Sequence, residues 1–311
     1  MIRDFVSYET VTAFVVIRRK DVKEYNGRVF ISFEFGDSSG RIAGVWWEPE
    51  RFAIEEIEEG TVVKVRGEVG VYRDRPQLKV IRLRPAKPEE YNLADILPHS
   101  RFSLDELKAN ILSLTGKVEN GHIRELMDSF WNDEPFMAEY LRATAGKLWH
   151  HSYIGGLAEH SINVTNICLD LSRHYDFIER DFLIFGGLFH DMGKIYQYRI
   201  TSYIDYTDEG RLIGHINAAD HLIARRAEEI DSFPSSLLMK LRHLILAHHG
   251  QVEYASPVVP QIPEAFLLYY ADEIDSKMGA ITRIRDKSGG HGWSDYVNLL
   301  NRHLYFGEKK K

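Results

Sequence analysis

The chain has a single cysteine, Cys168, among its 311 residues. One thiol cannot build an internal disulfide framework or a cluster of thiolate ligands around zinc, so both kinds of structural cross-link are excluded. A chain with so few thiols is compatible with a reducing compartment. We therefore expect a cytoplasmic protein.

Long apolar runs and an excess of positive charge are also missing. No stretch approaches the roughly 18 apolar residues that a membrane-spanning helix needs, and the N-terminal sequence MIRDFVSYET lacks the apolar core of a signal peptide. We expect no association with membranes. The chain has 39 Lys and Arg against 46 Asp and Glu, a net charge of −7. This balance argues against a strong non-specific DNA binder, because such proteins are usually basic overall.

Residues 1–90 have the pattern of a small all-β domain. Five runs are rich in Val, Ile, Phe and Trp, and turn sequences such as DSSG and RDRP separate them. A stretch with a helical charge pattern lies between the third and fourth runs. This order of elements favours a closed oligonucleotide-binding (OB) barrel, and a plain antiparallel sheet is the alternative. The runs are 11–18, 27–35, 40–47, 60–72 and 77–84.

The rest of the chain has helical patterns. Residues 84–102 contain three prolines and read as a linker, and Ser103 with Glu106 forms a capping box that predicts the start of a helix. We therefore predict two domains, an all-β OB-fold barrel over 1–90 and an all-α domain over 91–311. Further helices are predicted near 119–131, 134–147, 152–175, 180–194, 214–231, 235–249, 262–285 and 293–304.

Histidine is concentrated in the helical part, because only His99 and His122 of the 14 histidines precede residue 150. Several of the others, with Asp191 and Asp272, end apolar helical stretches such as GGLFHDMGK. A buried carboxylate costs several kcal/mol unless it is paired or binds a metal. Imidazole and carboxylate are ligands for zinc, manganese or iron, and the lack of thiolates favours a catalytic site. Asp191 could bridge two ions, as in centres that activate water for attack on a phosphoester.

The order His160, His190-Asp191, Asp272 resembles the HD-domain phosphohydrolase superfamily, and HDMGK is similar to its H-D-x-G-K signature, over roughly residues 145–285. The segments HHSYIGGLAEHS, LIGHI and AHHG, behind an OB-like domain, are similar to the YhaM-like 3′→5′ exoribonucleases. The resemblance implies an all-α metal-dependent phosphodiesterase fused to a nucleic-acid-binding barrel. It also implies that His160, His190, Asp191 and Asp272 bind one divalent ion.

The same resemblance implies a second ion held by His215 and His248 together with Asp191, with His249 as an alternative to His248. We therefore expect one or two divalent ions in the helical domain. Mn²⁺ is the expected metal, and Fe²⁺, Co²⁺, Ni²⁺ and Zn²⁺ are the alternatives.

Three residues are predicted to act in catalysis: Asp191, Lys194 and His151. Lys194 follows Asp191 by three residues and could place its charge at a substrate phosphate or an attacking water, although Gly193 between them can let the chain turn. His151 is predicted to contact the substrate or the leaving group, and capping of the nearby helix is an equal alternative.

Basic charge is concentrated locally in the barrel. Residues 60–87 contain eight Lys and Arg against Glu68 and Asp74, and aromatic residues interleave with them. A basic groove with stacking rings binds single strands without reading their sequence. Trp46 and Trp47 must face opposite sides of a strand, one in the core and one exposed. The predicted nucleic-acid contacts are Phe33, Trp47, Lys64, Arg66, Tyr72, Arg73 and Arg75, and a protein-docking barrel is the alternative.

These patterns predict a metal-dependent phosphodiesterase that binds single-stranded RNA or DNA, and the resemblance implies that it is a 3′→5′ exoribonuclease. An HD nucleotidase or cyclic-nucleotide phosphodiesterase acting on small substrates is one alternative, favoured by the acidic balance of the helical domain. A nucleic-acid-binding adaptor with an inactive metal site is another, which the intact ligand set argues against. A homo-oligomer stays open, since the long apolar helix over 262–285 could be core or subunit contact.

Overall fold

A computed structural model describes residues 1–73, 75–147 and 151–308. Three parts of the predictions lie outside the described residues: Asp74 of the predicted hairpin loop, His150 at the start of HHSYIGGLAEHS, and the basic tail after residue 308. The chain divides into two compact units, Met1–His99 with Arg199–Asp205, and Ser100–Tyr198 with the residues from Tyr206 onward. The predicted division into domains over 1–90 and 91–311 stays a prediction.

The first unit contains a closed five-stranded barrel, which confirms the predicted OB fold. Its strands run in the order β1-β2-β3-β5-β4, and neighbours are antiparallel except for the parallel pair β3 and β5. The short helix α1 (Arg51–Glu55) lies between β3 and β4, as the charge pattern predicts. The strands are β1 (Thr10–Tyr25), β2 (Arg28–Asp37), β3 (Gly40–Trp47), β4 (Val62–Tyr72) and β5 (Arg75–Pro85).

Alternation along the strands decides which aromatic side chains fill the barrel. Trp46 is 5% exposed and Trp47 is 43% exposed, which confirms that the pair faces opposite sides. Phe33 is only 3% exposed, and its ring lies 4.9 Å from that of Phe35 inside the barrel. The prediction that Phe33 contacts nucleic acid was therefore wrong, because its face of β2 is the inner face.

The segment read as a linker carries short helices of its own. A 3₁₀ helix spans Pro88–Glu90, and α2 spans Leu93–Ile96. Ile96 is fully buried and packs with Val16 and Val62 of the barrel. The beginning of this segment is thus attached to the β unit.

The second unit is helical. Ser103 and Glu106 form the predicted capping box at the start of its first helix, Leu104–Thr115. The two-stranded sheet of β6 (Tyr198–Ile200) and β7 (Ile204–Tyr206) lies mostly within Arg199–Asp205, the segment that belongs to the first unit. Within the described residues, no helix is long and apolar enough to span a bilayer. The helices are α3 (Leu104–Thr115), α4 (Gly121–Trp131), α5 (Glu134–Arg142), α6 (Gly156–Ser172), α7 (Arg180–Phe189), α8 (Lys194–Gln197), α9 (Asp208–Leu212), α10 (His215–Glu228), α11 (Ser235–Ala247) and α12 (Pro263–Lys287).

The helix predicted over 293–304 is wrong. This segment contains only a 3₁₀ turn at Asn298–Leu300 and folds back on itself, with bridges from Trp293 to Tyr305 and from Val297 to Arg302. Backbone pairing across the fold satisfies the groups that a helix would bond locally: Ser294 N–H donates to the Leu304 carbonyl at 2.8 Å. Contacts between the two ends of the segment therefore outweigh its helical pattern.

Helices α6, α7 and α12 pack together in the interior of the helical unit. Their apolar side chains are buried with those of α3 to α5 and α11 in one cluster. The same interior also contains His160, His190, Asp191 and His248, each at most 1% exposed. Polar groups so deeply buried are costly unless they have partners or a ligand.

Candidate metal centre

The turn after α7 places His190 and Asp191. The apolar helix ends at Phe189, and α8 begins at Lys194 with Gly193 as its N-cap. A Cβ on Gly193 would lie 2.0 Å from the carbonyl oxygen of His215. Only glycine fits there, so the turn and the first residue of α10 approach closely.

A second glycine brings α6 and α7 together. A Cβ on Gly187 would lie 2.3 Å from the hydroxyl oxygen of Thr165 on α6. Because this contact admits no side chain at residue 187, the two helices pack closely enough for His160 and His190 to meet. Their Nε2 atoms are 3.2 Å apart. The glycines in the GGLFHDMGK stretch thus serve the approach of neighbouring elements.

Asp191 lies between two pairs of imidazoles. Its Oδ2 is 3.5 Å from His160 Nε2 and 3.4 Å from His190 Nε2. Its Oδ1 is 3.4 Å from His215 Nε2 and 3.7 Å from His248 Nε2. Each carboxylate oxygen therefore has its own pair of imidazole nitrogens.

Asp272 of α12 completes the first group, with its Oδ1 3.2 Å from His160 Nε2. The donor atoms of His160, His190 and Asp272 lie within 4.8 Å of one another, and those of His215, His248 and His249 do so as well. Two ligands that are each about 2.1 Å from one ion are roughly 3.0–3.4 Å from each other. The observed separations agree with shared ions, and all six predicted metal ligands come together.

Hydrogen bonds orient the rings toward the centre. His190 Nδ1 lies 3.0 Å from the Gly187 carbonyl oxygen, and His248 Nδ1 lies 2.6 Å from that of Ile245. A carbonyl only accepts hydrogen bonds, so each Nδ1 carries the proton and donates it. Nε2 of each ring then faces Asp191 and is the nitrogen that would bind a metal.

The donor set fits a divalent metal. Three of the seven buried side-chain atoms that have no hydrogen-bond partner among the described residues lie here: Asp191 Oδ1, His215 Nε2 and His248 Nε2. Leaving a buried polar group unpaired costs about 1–3 kcal/mol. These three atoms surround one point and have the chemistry of divalent-metal ligands, so an ion there would satisfy them together.

Electrostatics keep the carboxylates ionised. Burial raises the pKa of Asp191, but the Lys194 ammonium and the His190 ring more than offset it and hold this pKa well below its ordinary value. Burial likewise raises the pKa of Asp272, but its contacts with His160 and His190 outweigh burial and hold this pKa below its usual range. Both groups therefore present negative charge at neutral pH.

The imidazoles differ from one another. Burial lowers the pKa of His215 well below its ordinary value and that of His249 to about 4, so both rings are neutral and suited to be ligands. Burial also lowers the pKa of His160, but hydrogen bonds to Asp191, Asp272 and Asp275 raise it well above normal. The acids thus favour positive charge at this point, which a bound metal ion would supply.

Lys194 and His151, the other predicted catalytic residues, are both engaged. Lys194 is 8% exposed, and its Nζ lies 2.5 Å from Asp191 Oδ2. His151 has Nδ1 2.6 Å from the Tyr153 hydroxyl and Nε2 2.8 Å from Asp275 Oδ2. Both ring nitrogens of His151 therefore have protein partners in this structure, and its contact with substrate or leaving group stays a prediction.

Sequence reasoning missed Asp275. Its Oδ2 also lies 2.7 Å from His160 Nδ1, and the bonds from His151 and His160 hold its pKa below the ordinary value although burial raises it. The available signal was its spacing: Asp275 follows Asp272 by three residues, which places both on one face of a helix.

A groove on the barrel is the second candidate site, with a volume of about 460 Å³. Arg66 and Arg82 lie directly opposite each other on β4 and β5, and Lys64 lies opposite Arg84. Arg84 is paired with Glu90 through two hydrogen bonds, which hold the pKa of that carboxyl at about 2. The lining residues are Thr12, Glu50, Phe52, Lys64, Arg66, Arg82, Leu83 and Arg84.

The other predicted contacts of the barrel are on its surface. Tyr72, Arg73 and Arg75 are exposed at the hairpin between β4 and β5, and the Arg73 guanidinium lies 5.2 Å from the centre of the Tyr72 ring. Trp47 is exposed on β3, and the centre of its ring lies 4.6 Å from that of Phe30. Aromatic and cationic groups are therefore available at several places on the barrel.

Comparison with known proteins agrees with this geometry. Residues 157–277 match the HD domain family, and residues 11–86 match the OB-fold nucleic acid binding domain family. The chain is 31% identical over 282 residues to the 3′-5′ exoribonuclease YhaM of Bacillus subtilis (strain 168), covering 90% of this chain and 89% of that relative. The chain belongs to the YhaM family.

Another YhaM, from Bacillus pumilus (strain SAFR-032), is 32% identical over 286 residues, with 90% of this chain and 89% of the relative covered. The second OB-fold domain of replication protein A from Methanococcus maripaludis is 21% identical and covers 26% of this chain and 84% of its own, with a TM-score of 0.21. As a YhaM-family member, the chain is a metal-dependent phosphohydrolase with an OB-fold nucleic-acid-binding domain and a site for a divalent metal.

Proposed function

We propose that this protein is a 3′→5′ exoribonuclease that degrades single-stranded RNA at the metal centre of its helical unit. The observation that carries the proposal is the convergence of four imidazoles on the two oxygens of one buried carboxylate, Asp191. The residues around Asp191 would hold two ions, as the sites of two-metal phosphoesterases do. The direction of degradation and the preference for RNA are supported by the names of the two Bacillus relatives.

Two groups of residues would hold the metal. His160, His190, Asp191 and Asp272 would bind one ion, and His215 and His248 together with Asp191 would bind a second. A divalent ion bound here lowers the pKa of a water molecule toward neutrality and stabilises negative charge on the phosphoryl oxygens. We expect Mn²⁺, with Fe²⁺, Co²⁺, Ni²⁺ and Zn²⁺ as the other candidates.

Lys194 has two tasks in this proposal. Its ammonium keeps Asp191 ionised, and this buried cation beside the reacting phosphate stabilises the charge that develops in the transition state. The first task accounts for its present bond to Asp191 Oδ2. The second requires that the phosphate approach within reach of the same ammonium.

The barrel would hold the strand. Arg66 faces Arg82 directly across two strands, an arrangement of like charges that destabilises a sheet unless an anion lies between them. A phosphate of the strand would be that anion. Trp47 and Tyr72, both exposed, would stack on bases, which is worth roughly 1–3 kcal/mol per base.

A cleavage assay tests the function. The full chain is incubated with Mn²⁺ and a 5′-labelled single-stranded RNA, the DNA of the same sequence, or a panel of mononucleotides. A ladder that shortens from the 3′ end of the RNA supports the proposal. Phosphate released from mononucleotides alone would instead identify a nucleotidase, and strand binding without turnover, unchanged by Asp191→Ala, would identify an adaptor.

A charge variant tests the barrel separately. The double substitution Arg66→Gln with Arg82→Gln should weaken RNA binding and reduce the slope of log affinity against log salt by roughly 0.7 for each lost phosphate contact. Arg28→Gln with Arg51→Gln is the matched control, because it removes two exposed arginines, on β2 and α1, that do not line the groove. An unchanged slope in the groove variant would contradict a role for this groove.

A further inference from the structure

We propose that Asp275 is a positioning residue that holds His160 in the orientation needed to bind metal. This inference rests on the proposed metal centre. Asp275 is 8% exposed, and its Oδ2 is within 2.7 Å of His160 Nδ1 and 2.8 Å of His151 Nε2. One carboxylate oxygen thus serves two imidazole rings.

The hydrogen bond from His160 decides the tautomer of its ring. An ionised carboxylate only accepts hydrogen bonds, so the proton of His160 is on Nδ1 and is donated to Asp275. Nε2 is then the ring nitrogen that would bind metal, and it faces carboxylate oxygens of Asp191 and Asp272, which lie 3.5 and 3.2 Å away. Carboxylate partners of this kind orient ligating histidines and raise their basicity.

Helix α12 contacts both nitrogens of the same ring. Asp272 lies beside Nε2 and Asp275 accepts from Nδ1, and the two acids are three residues apart on one helix face. His190 and His248 are oriented differently, because their Nδ1 atoms donate to backbone carbonyls. The partner of His160 Nδ1 is instead a side chain, Asp275, so a substitution can remove it.

His151 holds Asp275 from the other side. Its Nε2 faces the shared oxygen, and its Nδ1 lies 2.6 Å from the Tyr153 hydroxyl, which donates to Glu159 at 3.0 Å. The backbone of His151 has a φ of +42°, a conformation that costs free energy in residues other than glycine and collects at functional sites. The carboxylate of Asp275 thus has two imidazole partners that limit its movement.

Metal titration of three proteins tests the proposal. Metal-free wild type, Asp275→Asn and Glu273→Gln are titrated with Mn²⁺ by calorimetry, and their Co²⁺ forms are compared by visible absorption, which reports ligand geometry. Asp275→Asn should bind metal about 10–100-fold more weakly at an unchanged number of ions, with an altered Co²⁺ spectrum. Glu273→Gln removes a carboxylate of the same helix that pairs with Lys277 and should match wild type.

Other outcomes would overturn the assignment. Equal affinity and equal spectra in Asp275→Asn and wild type would remove the positioning role and leave the metal centre intact. Loss of one whole ion would make Asp275 a ligand itself. Failure of wild type to bind any metal would overturn the centre and this role with it. If Asp275→Asn does not fold, His151→Gln decides, because it keeps the carboxylate and should lower affinity by a smaller factor, whereas an unchanged affinity would count against the proposal.

Discussion

Replacing Asp191 by asparagine should have two separable effects, one of them on the metal-free protein. Asp191 and Lys194 are 1% and 8% exposed and form an ion pair. Asparagine removes the negative charge and leaves a buried ammonium without its partner. Breaking a buried pair on one side costs about 3–5 kcal/mol. At roughly 2–4 °C per kcal/mol for a unit of this size, the melting temperature of the metal-free helical unit should fall by about 6–20 °C.

The second effect concerns metal. A ligand that binds only the folded state stabilises it by about 2.7 kcal/mol at a concentration 100 times its dissociation constant. Wild type should therefore melt about 5–11 °C higher under that Mn²⁺ concentration. Asp191→Asn should show little of this increase, because the substitution removes the carboxylate that faces all four imidazoles.

Scanning calorimetry with and without Mn²⁺ measures both effects, and a second substitution separates them. Adding Lys194→Met to Asp191→Asn removes the unpaired cation, so most of the lost stability should return while the metal-dependent increase stays absent. An Asp191→Asn protein that melts like wild type and still responds to Mn²⁺ would refute the reasoning. Failure of Lys194→Met to restore stability would refute the part that concerns the ion pair.

Three further predictions concern Trp47 on the barrel and His248 and Gly193 at the metal centre. Trp47→Ala should weaken binding of single-stranded RNA by about 5–150-fold, the value of stacking on one base, and unchanged fluorescence anisotropy would remove Trp47 from the interface. His248→Ala should lower the number of Mn²⁺ ions kept after dialysis from two to one, and two retained ions would point to His249 as the ligand. Gly193→Ala should weaken Mn²⁺ binding and lower the melting temperature, because its new Cβ would lie 2.0 Å from the His215 carbonyl oxygen; wild-type values would show that the close approach is not required.

The local pattern of the sequence predicts most of the fold. Strand alternation and turn residues place the five barrel strands within a few residues of their observed ends, apart from the longer C-terminal half of β1. The same is true of the capping box at Ser103, since capping depends on residues three apart. These features are readable because they arise from interactions between near neighbours.

The metal ligands are readable for a related reason. His190, Asp191, His248 and Asp272 end or interrupt strongly apolar helical stretches, and polar groups in that position need partners. Composition therefore identifies which residues are costly to bury. It does not show that Asp191 would lie between two pairs of rings, because those rings come from four separate elements.

The tertiary structure alone decided which side of each element became the interior and which atoms faced one another. Strand alternation shows that Phe33 and Phe35 share a face, but the closure of the barrel turned that face inward. Contacts between residues far apart in the chain likewise placed His151 beside Asp275, and backbone pairing folded 293–304 back on itself. Sequence by itself determined the helices and strands and the residue types that need partners, because these depend on local geometry and on the cost of burial. The identity of each partner depends on packing between segments far apart in the chain.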